Sequence, residues 1–154
     1  MKSERILPPK FLAAMIAVLP LPGSPLYDGD DQRVIDQALA DLDIYKKAGV
    51  DSIIFENDGD LPYIQPPLDK KAIALMTKLC KKARKRFNGP IGVQMLEAAN
   101  IESLEIAAEA GLDYIRVEAF VFCSCRWEWR HQRFGWKNFT KKNRVECRTY
   151  KSIC

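Results

Sequence analysis

The sequence predicts an α/β chain with about four βα units on a parallel sheet, followed by an irregular C-terminal tail. Short apolar runs alternate with longer stretches whose apolar residues recur every three or four positions, the pattern of strands joined by right-handed helical crossovers. The pattern stops near Phe122, and the charge changes with it. Residues 1–122 hold 15 Lys+Arg against 18 Asp+Glu; residues 123–154 hold 9 against 2, with all three Trp, the only His and four of the five Cys. The two parts are therefore read separately, as 1–122 and 123–154. A chain that is 47% hydrophobic and 29% charged is globular, which excludes collagen-like, disordered and multi-span membrane classes.

The first strand is the apolar run Phe11–Leu19, ended by Pro20, Pro22 and Pro25, which forbid a helix or a central strand there. Lys2, Arg5 and Lys10 before an apolar run also resemble a secretory leader. Against export, Glu4 and two prolines interrupt the leading segment, and no small-residue cleavage site follows. The run is too short to span a membrane, which takes about 20 residues. A helix follows: Asp30 and Asp31 suit its start, Val34, Ile35, Ala38, Leu39, Leu42 and Tyr45 its buried face, and Lys46, Lys47 and Gly49 its end. The second strand, 51–56, runs into the polar loop Glu56–Asp60. A helix over Asp69–Phe87 buries Ile73, Met76, Leu79 and Cys80. Its other side carries Lys70, Lys71, Lys78, Lys81, Lys82, Arg84, Lys85 and Arg86. That side lacks interleaved aromatics and reads as a solvated face, so no nucleic-acid partner is expected. A strand over 90–95, a helix over Ile101–Ala110 ended by Gly111, and a strand over 113–121 complete the series. Periodicity alone leaves two architectures open: half of a (β/α)8 barrel, or the start of a doubly wound sheet.

Four blocks resemble the BtpA family: MIAVLPLPGSPLYDG (15–29), GVDSIIFENDGDLPY (49–63), PIGVQMLEAAN (90–100) and AGLDYIRVEAFVF (110–122). The resemblance covers residues 10–122 and implies a partial TIM barrel of the ribulose-phosphate-binding-like type. It also implies a parent family acting on a phosphorylated or sugar-like small molecule, or a non-enzymatic assembly or stability factor of the kind associated with photosystem I biogenesis. The family usually carries a His where Ala17 stands.

In a barrel of this type the site lies at the C-terminal ends of the strands. That rule selects Glu56, Asp60 and Arg116 as candidate catalytic residues, and Asn57, Gln94 and Glu118 as candidate ligand-binding residues. Glu56, Asp58 and Asp60 place three carboxylates within five residues, suited to general acid–base work or to hard-cation binding. The competing reading makes Asp58, Gly59 and Asp60 turn formers and ties Glu56 to a neighbouring strand. Arg116 alternates with Ile115 and Val117, so it points to the inner face, either to bind an anion or to pair with Glu56 or Glu118. No cofactor is indicated. The expected partners are a small-molecule ligand and, through exposed strand edges, a second copy. One Cys in residues 1–122 indicates no disulfide framework and places the protein in the cytoplasm, ahead of mitochondria or export.

In the tail, Cys123, Cys125, His131, Cys147 and Cys154 follow no metal-ligand spacing, so no metal site is expected. The genetic code offers another account. Tryptophan has a single codon, TGG, so reading one nucleotide later turns Trp127–Glu128, Trp129–Arg130 and Trp136–Lys137 each into a forced glycine. The shifted reading admits family-like HV, IN and AG features. The tail is thus expected to be an out-of-frame translation beginning near Phe122, irregular, on a truncated and inactive product. Sequencing the transcript tests this: the next frame from the codon of Phe122 encodes family-like sequence, and early stop codons there would refute it.

Overall fold

A computed structural model describes residues 9–118, all within one compact unit, Met1–Phe120. Residues 119–154, including Cys123, Cys125, His131 and Cys147, lie outside the described residues. Four strands, β1 (Ala13–Ala17), β2 (Ser52–Glu56), β3 (Ile91–Gln94) and β4 (Tyr114–Ile115), alternate with three helices, α1 (Asp31–Ala48), α2 (Lys70–Arg86) and α3 (Asn100–Ala110). The strands are parallel and lie side by side in the order β1-β2-β3-β4, and the sheet is not closed among the described residues. No helix of the described residues is long and apolar enough to cross a membrane.

The helices begin and end where local chemistry places them. The Asp30 carboxylate accepts from the Arg33 N–H at 3.0 Å and the Asp69 carboxylate from the Lys71 N–H at 2.7 Å, each satisfying a donor that the first turn leaves unpaired. α3 has no side-chain cap of this kind. Instead, Ser103 Oγ donates to the Ala99 carbonyl at 2.8 Å and accepts from the Met95 N–H at 2.9 Å, tying the helix to the end of β3. Val34, Ile35, Ala38, Leu39 and Leu42 of α1 and Leu75, Met76, Leu79, Cys80 and Ala83 of α2 are buried against the sheet. α2 contacts both α1 and α3, so the three helices form one layer. Its basic side pairs with both neighbours: Lys81 with Glu109 at 2.7 Å, Arg84 with Asp113 at 2.7 Å, Arg86 with Asp43 at 3.2 Å.

The register divides the sheet into two faces. Ile16, Phe55, Val93 and Ile115 form one cross-strand row, with Ile53 and Ile91 two residues earlier, and these face the helices. The rows between them point the other way: Met15, Ile54, Gly92 and Tyr114, then Ala17, Glu56 and Gln94, with Arg116 continuing the alternation of β4. On this second face Met15 is 42% exposed. It is anchored near Tyr114: Ser52 Oγ gives its single proton to the Pro90 carbonyl at 3.0 Å, so the Tyr114 hydroxyl donates to Ser52 Oγ at 2.6 Å.

All four strands are shorter than the sequence pattern suggests, β2 and β3 by one or two residues and β1 and β4 by more. β1 covers five of the nine apolar residues, because pairing ends where Pro20 removes a donor and, at the other end, Leu12 is held by Asp51. β4 is described only at Tyr114–Ile115, and residues 119–121 of the expected strand are outside the described range. Gly92 shows how close the packing is. A Cβ there would sit 2.4 Å from the Tyr114 ring, too near for any side chain without moving it. Gly92→Ala is therefore expected to cost about 1–3 kcal/mol in urea unfolding, the usual cost of overpacking a filled site.

Candidate functional site

The carboxyl ends of the four parallel strands converge where the residues of the last inward row stand: Ala17, Glu56, Gln94 and Arg116. The pleat puts them on one face and the register puts them at one level. Glu56 is only 4% exposed, yet its Oε1 accepts from Arg116 Nη1 at 2.5 Å, while the Arg116 side chain is 55% exposed. A buried carboxylate is thus held by a cation that reaches in from solvent. Burial pushes the Glu56 carboxyl above its usual range; Arg116 opposes this, and Asp58 and Glu118 add to it. Desolvation wins because Arg116, being wet, returns little of what burial removes.

Glu118 closes the cluster from the segment after β4. Its Oε2 accepts from the Ala98 N–H at 3.3 Å and lies 3.5 Å from Gln94 Nε2. The backbone of Glu118 is bracketed by Asn100, whose Nδ2 donates to the Glu118 carbonyl at 2.8 Å and whose Oδ1 accepts from its N–H at 3.2 Å. Sequence reasoning missed Asn100, which stands at the start of α3, where an Asn reads as a helix-start residue. Ala98, φ 59, is the only non-glycine residue with a left-handed backbone among the described residues. Gln94 is 2% exposed and its Oε1 has no hydrogen-bond partner among the described residues.

Asn57 and Asp60 have a different task. Asn57 is 2% exposed; its Oδ1 accepts from the Leu96 N–H at 2.6 Å, and its Nδ2 donates to the Leu96 carbonyl at 3.2 Å and to Asp60 Oδ2 at 2.8 Å. Asp60 Oδ1 accepts from the Leu21 N–H at 2.6 Å. The pair staples the loop after β2 to the loops after β1 and β3. Gly59 allows the same approach: its N–H donates to the Val18 carbonyl at 3.1 Å, and a Cβ on it would stand 2.7 Å from that oxygen. Burial raises the Asp60 carboxyl, against the two donors that favour its charged form. Asp58 turns to Tyr63, whose hydroxyl donates to Asp58 Oδ1 at 2.7 Å and is pushed up to about 12 by that bond. The three carboxylates of Glu56–Asp60 therefore take three separate partners, and no three His, Cys, Asp or Glu of the described residues are placed to hold a metal ion.

An open groove of about 620 Å³ lies between the loop after β1 and α2, lined by Pro22, Tyr27, Asp31, Asp69 and Lys71; it does not include Glu56, Gln94 or Arg116. A hollow of about 40 Å³ lies over the Asn57–Asp60 staple. We locate the candidate site at the Glu56 row because charge and an unsatisfied polar atom converge there, which the groove does not offer.

Residues 9–128 match the BtpA family. The chain belongs to that family. An uncharacterized protein of Pyrococcus abyssi is 37% identical over 108 residues, 70% of this chain and 41% of that protein. The Synechocystis protein called photosystem I biogenesis protein BtpA is 30% identical over 103 residues, 67% of this chain and 36% of its own. An uncharacterized protein of Archaeoglobus fulgidus is 30% identical over 139 residues, 90% of this chain and 56% of its own. The chain thus spans roughly two-fifths of the length of most curated relatives it matches. Both the family match and the Archaeoglobus match run past Phe122, where the sequence pattern alone placed the end of the likeness.

Two predictions follow from this geometry. Asn57→Ala strands the Leu96 N–H and one Asp60 oxygen, and is expected to cost about 1–3 kcal/mol for each group left unpaired, read by urea unfolding. The second concerns pH. Glu56 and Asp60 keep their protons to higher pH folded than unfolded, so in that window the folded chain binds more protons and stability falls as pH rises. Glu56→Gln removes its share: from pH 4.5, the ordinary Glu value, toward neutrality, its unfolding midpoint falls less than that of the parent.

Proposed function

We propose that residues 9–118 form the first βα units of a TIM-barrel domain that acts enzymatically on a small phosphorylated or sugar-like molecule at the carboxyl end of the sheet. The single observation that carries this reading is Glu56: 4% exposed, its carboxyl raised by burial, and paired at 2.5 Å with a solvent-exposed arginine. A carboxyl raised toward neutral pH is suited to give and take protons. In this reading Glu56 is the general acid–base, Arg116 orients it and holds its charged form, and Gln94 and Glu118 contact the ligand. Asn57 and Asp60 position the loops rather than the substrate. The unbroken strand order supports the barrel, since a doubly wound sheet reverses its order at the switch point.

The chain spans only part of its relatives' length, so the reading concerns the domain to which these residues belong. Residues 9–118 leave β1 and β4 with a free edge each, and on their own are expected to turn nothing over. Those edges are where a second copy would pair. Cys80, the only cysteine of residues 1–122, is a buried free thiol, which supports a reducing compartment and the cytoplasm. The name of the Synechocystis relative favours a second reading, a non-catalytic factor in the biogenesis of a larger assembly.

A metabolite screen read by thermal shift, run on this chain and on the full-length Pyrococcus abyssi relative, separates the two. The enzyme reading expects a small molecule to stabilise the full-length protein and to be consumed. It also expects Glu56→Gln, placed in a full-length domain, to lower turnover by about 10²–10⁴-fold, the usual contribution of a general acid–base. Full-length protein that binds no metabolite but co-purifies with a membrane assembly supports the second reading.

A further inference from the structure

Gln94 is one of the few buried polar side chains of the described residues, and its Oε1 is left without a hydrogen bond. An orphaned buried acceptor is costly and uncommon, so the folded chain keeps it for a reason. The orientation of the amide is fixed by its neighbour. Nε2 faces the Glu118 carboxylate at 3.5 Å; turned round, the amide would set oxygen against oxygen there. The free end of Gln94 is therefore an acceptor. It stands in the row between Glu56 and Arg116, and Glu56 uses only Oε1 in its bond to Arg116. Glu118 stands beside Gln94, Asp58 and Glu118 both act on Glu56, and the one cation of this cluster among the described residues, Arg116, has its Nη1 committed to Glu56.

We infer that this cluster receives the hydroxyl groups of a polyhydroxylated, sugar-type ligand, one donating to Gln94 Oε1 and a neighbouring one to the Glu56 carboxylate. The inference rests on the small-molecule reading above and narrows it: the sugar end of the ligand, not a phosphate, meets this row. A phosphate brought here would face three carboxylates and one arginine that is already paired. A cation would be drawn by the same excess of negative charge, so an ammonium compound is included among the probes as the competing outcome. Neutral hydroxyls meet no such repulsion from the carboxylates, and each can donate to one acceptor of the row.

The test uses the 154-residue chain with ribitol, glucose, inorganic phosphate and ethanolamine as separate probes, and ¹H–¹⁵N spectra that report the Gln94 side-chain amide. The expected result is a saturable shift of that amide with ribitol or glucose and none with phosphate or ethanolamine. Gln94→Met, similar in size and lacking the orphaned oxygen, is expected to weaken polyol binding tenfold or more in a chain that still unfolds cooperatively in urea. Tighter binding of phosphate or ethanolamine at Gln94 overturns the inference and leaves the small-molecule reading standing. Absence of any shift with all four probes overturns it too, and the metabolite screen then decides the broader reading independently. A Gln94→Met chain that binds ribitol or glucose as tightly as the parent overturns the inference as well.

Discussion

Parallel strands that follow one another in sequence order can be joined by right-handed crossovers in only one sense, so every helix falls on the same side of the sheet. Everything else in this chain depends on that constraint. One face of the sheet, with Ile16, Ile53, Phe55, Ile91 and Val93, is sealed by α1, α2 and α3 and supplies the core. The other face carries no helix among the described residues, and there the same strands can hold Glu56, Gln94 and Arg116 at one level without burying a charge inside the helix-packed core. The separation of stability from chemistry is a matter of odd and even positions along each strand.

That division explains how polar residues survive so close to a dense core. Glu56 and Phe55 are neighbours in sequence, yet one pairs with Arg116 and the other packs under the helices. Between them and solvent stands the Asn57–Asp60 staple, which joins the loops after β1, β2 and β3 through Leu21 and Leu96. The staple is fully hydrogen-bonded, whereas Gln94, on the adjacent strand and paired with Glu56, is not. A buried network that is fully satisfied rigidifies what surrounds it; a buried acceptor that is left open costs stability until something fills it. The contrast separates residues that build the end of the sheet from those that are available to a ligand.

Much of this was legible from the sequence, for reasons that are local. The helix starts at Asp30 and Asp69 depend on side chains two or three residues from the donors they satisfy, and the burial of Val34, Leu39, Met76 and Leu79 follows from helical spacing. The inward direction of Arg116 follows from its alternation with Ile115. What sequence could not give are contacts made across distance. Asn57 and Asp60 look like turn or ligand residues because their partners, Leu96 and Leu21, lie 39 positions away in opposite directions. Asn100 looks like a helix-start residue because its grip on Glu118 spans 18 positions. The three clustered acids admit a shared site or separate structural ties; they diverge because Tyr63, Leu21 and Arg116 each claim one.

The sequence leaves Arg116 two roles, receptor for an anion or partner of Glu56 or Glu118, and the structure takes the second. The structure spends its Nη1 on Glu56, and the surrounding carboxylates outnumber it. An arginine 55% exposed and bonded to a buried carboxylate does less to attract an anion than to keep a desolvated acid from being permanently protonated. It leaves Glu56 able to exist in both forms, which is what proton transfer requires of it. The row is thereby a place for hydrogen-bond donors, and any phosphate on the same ligand would have to be bound by other parts of the domain.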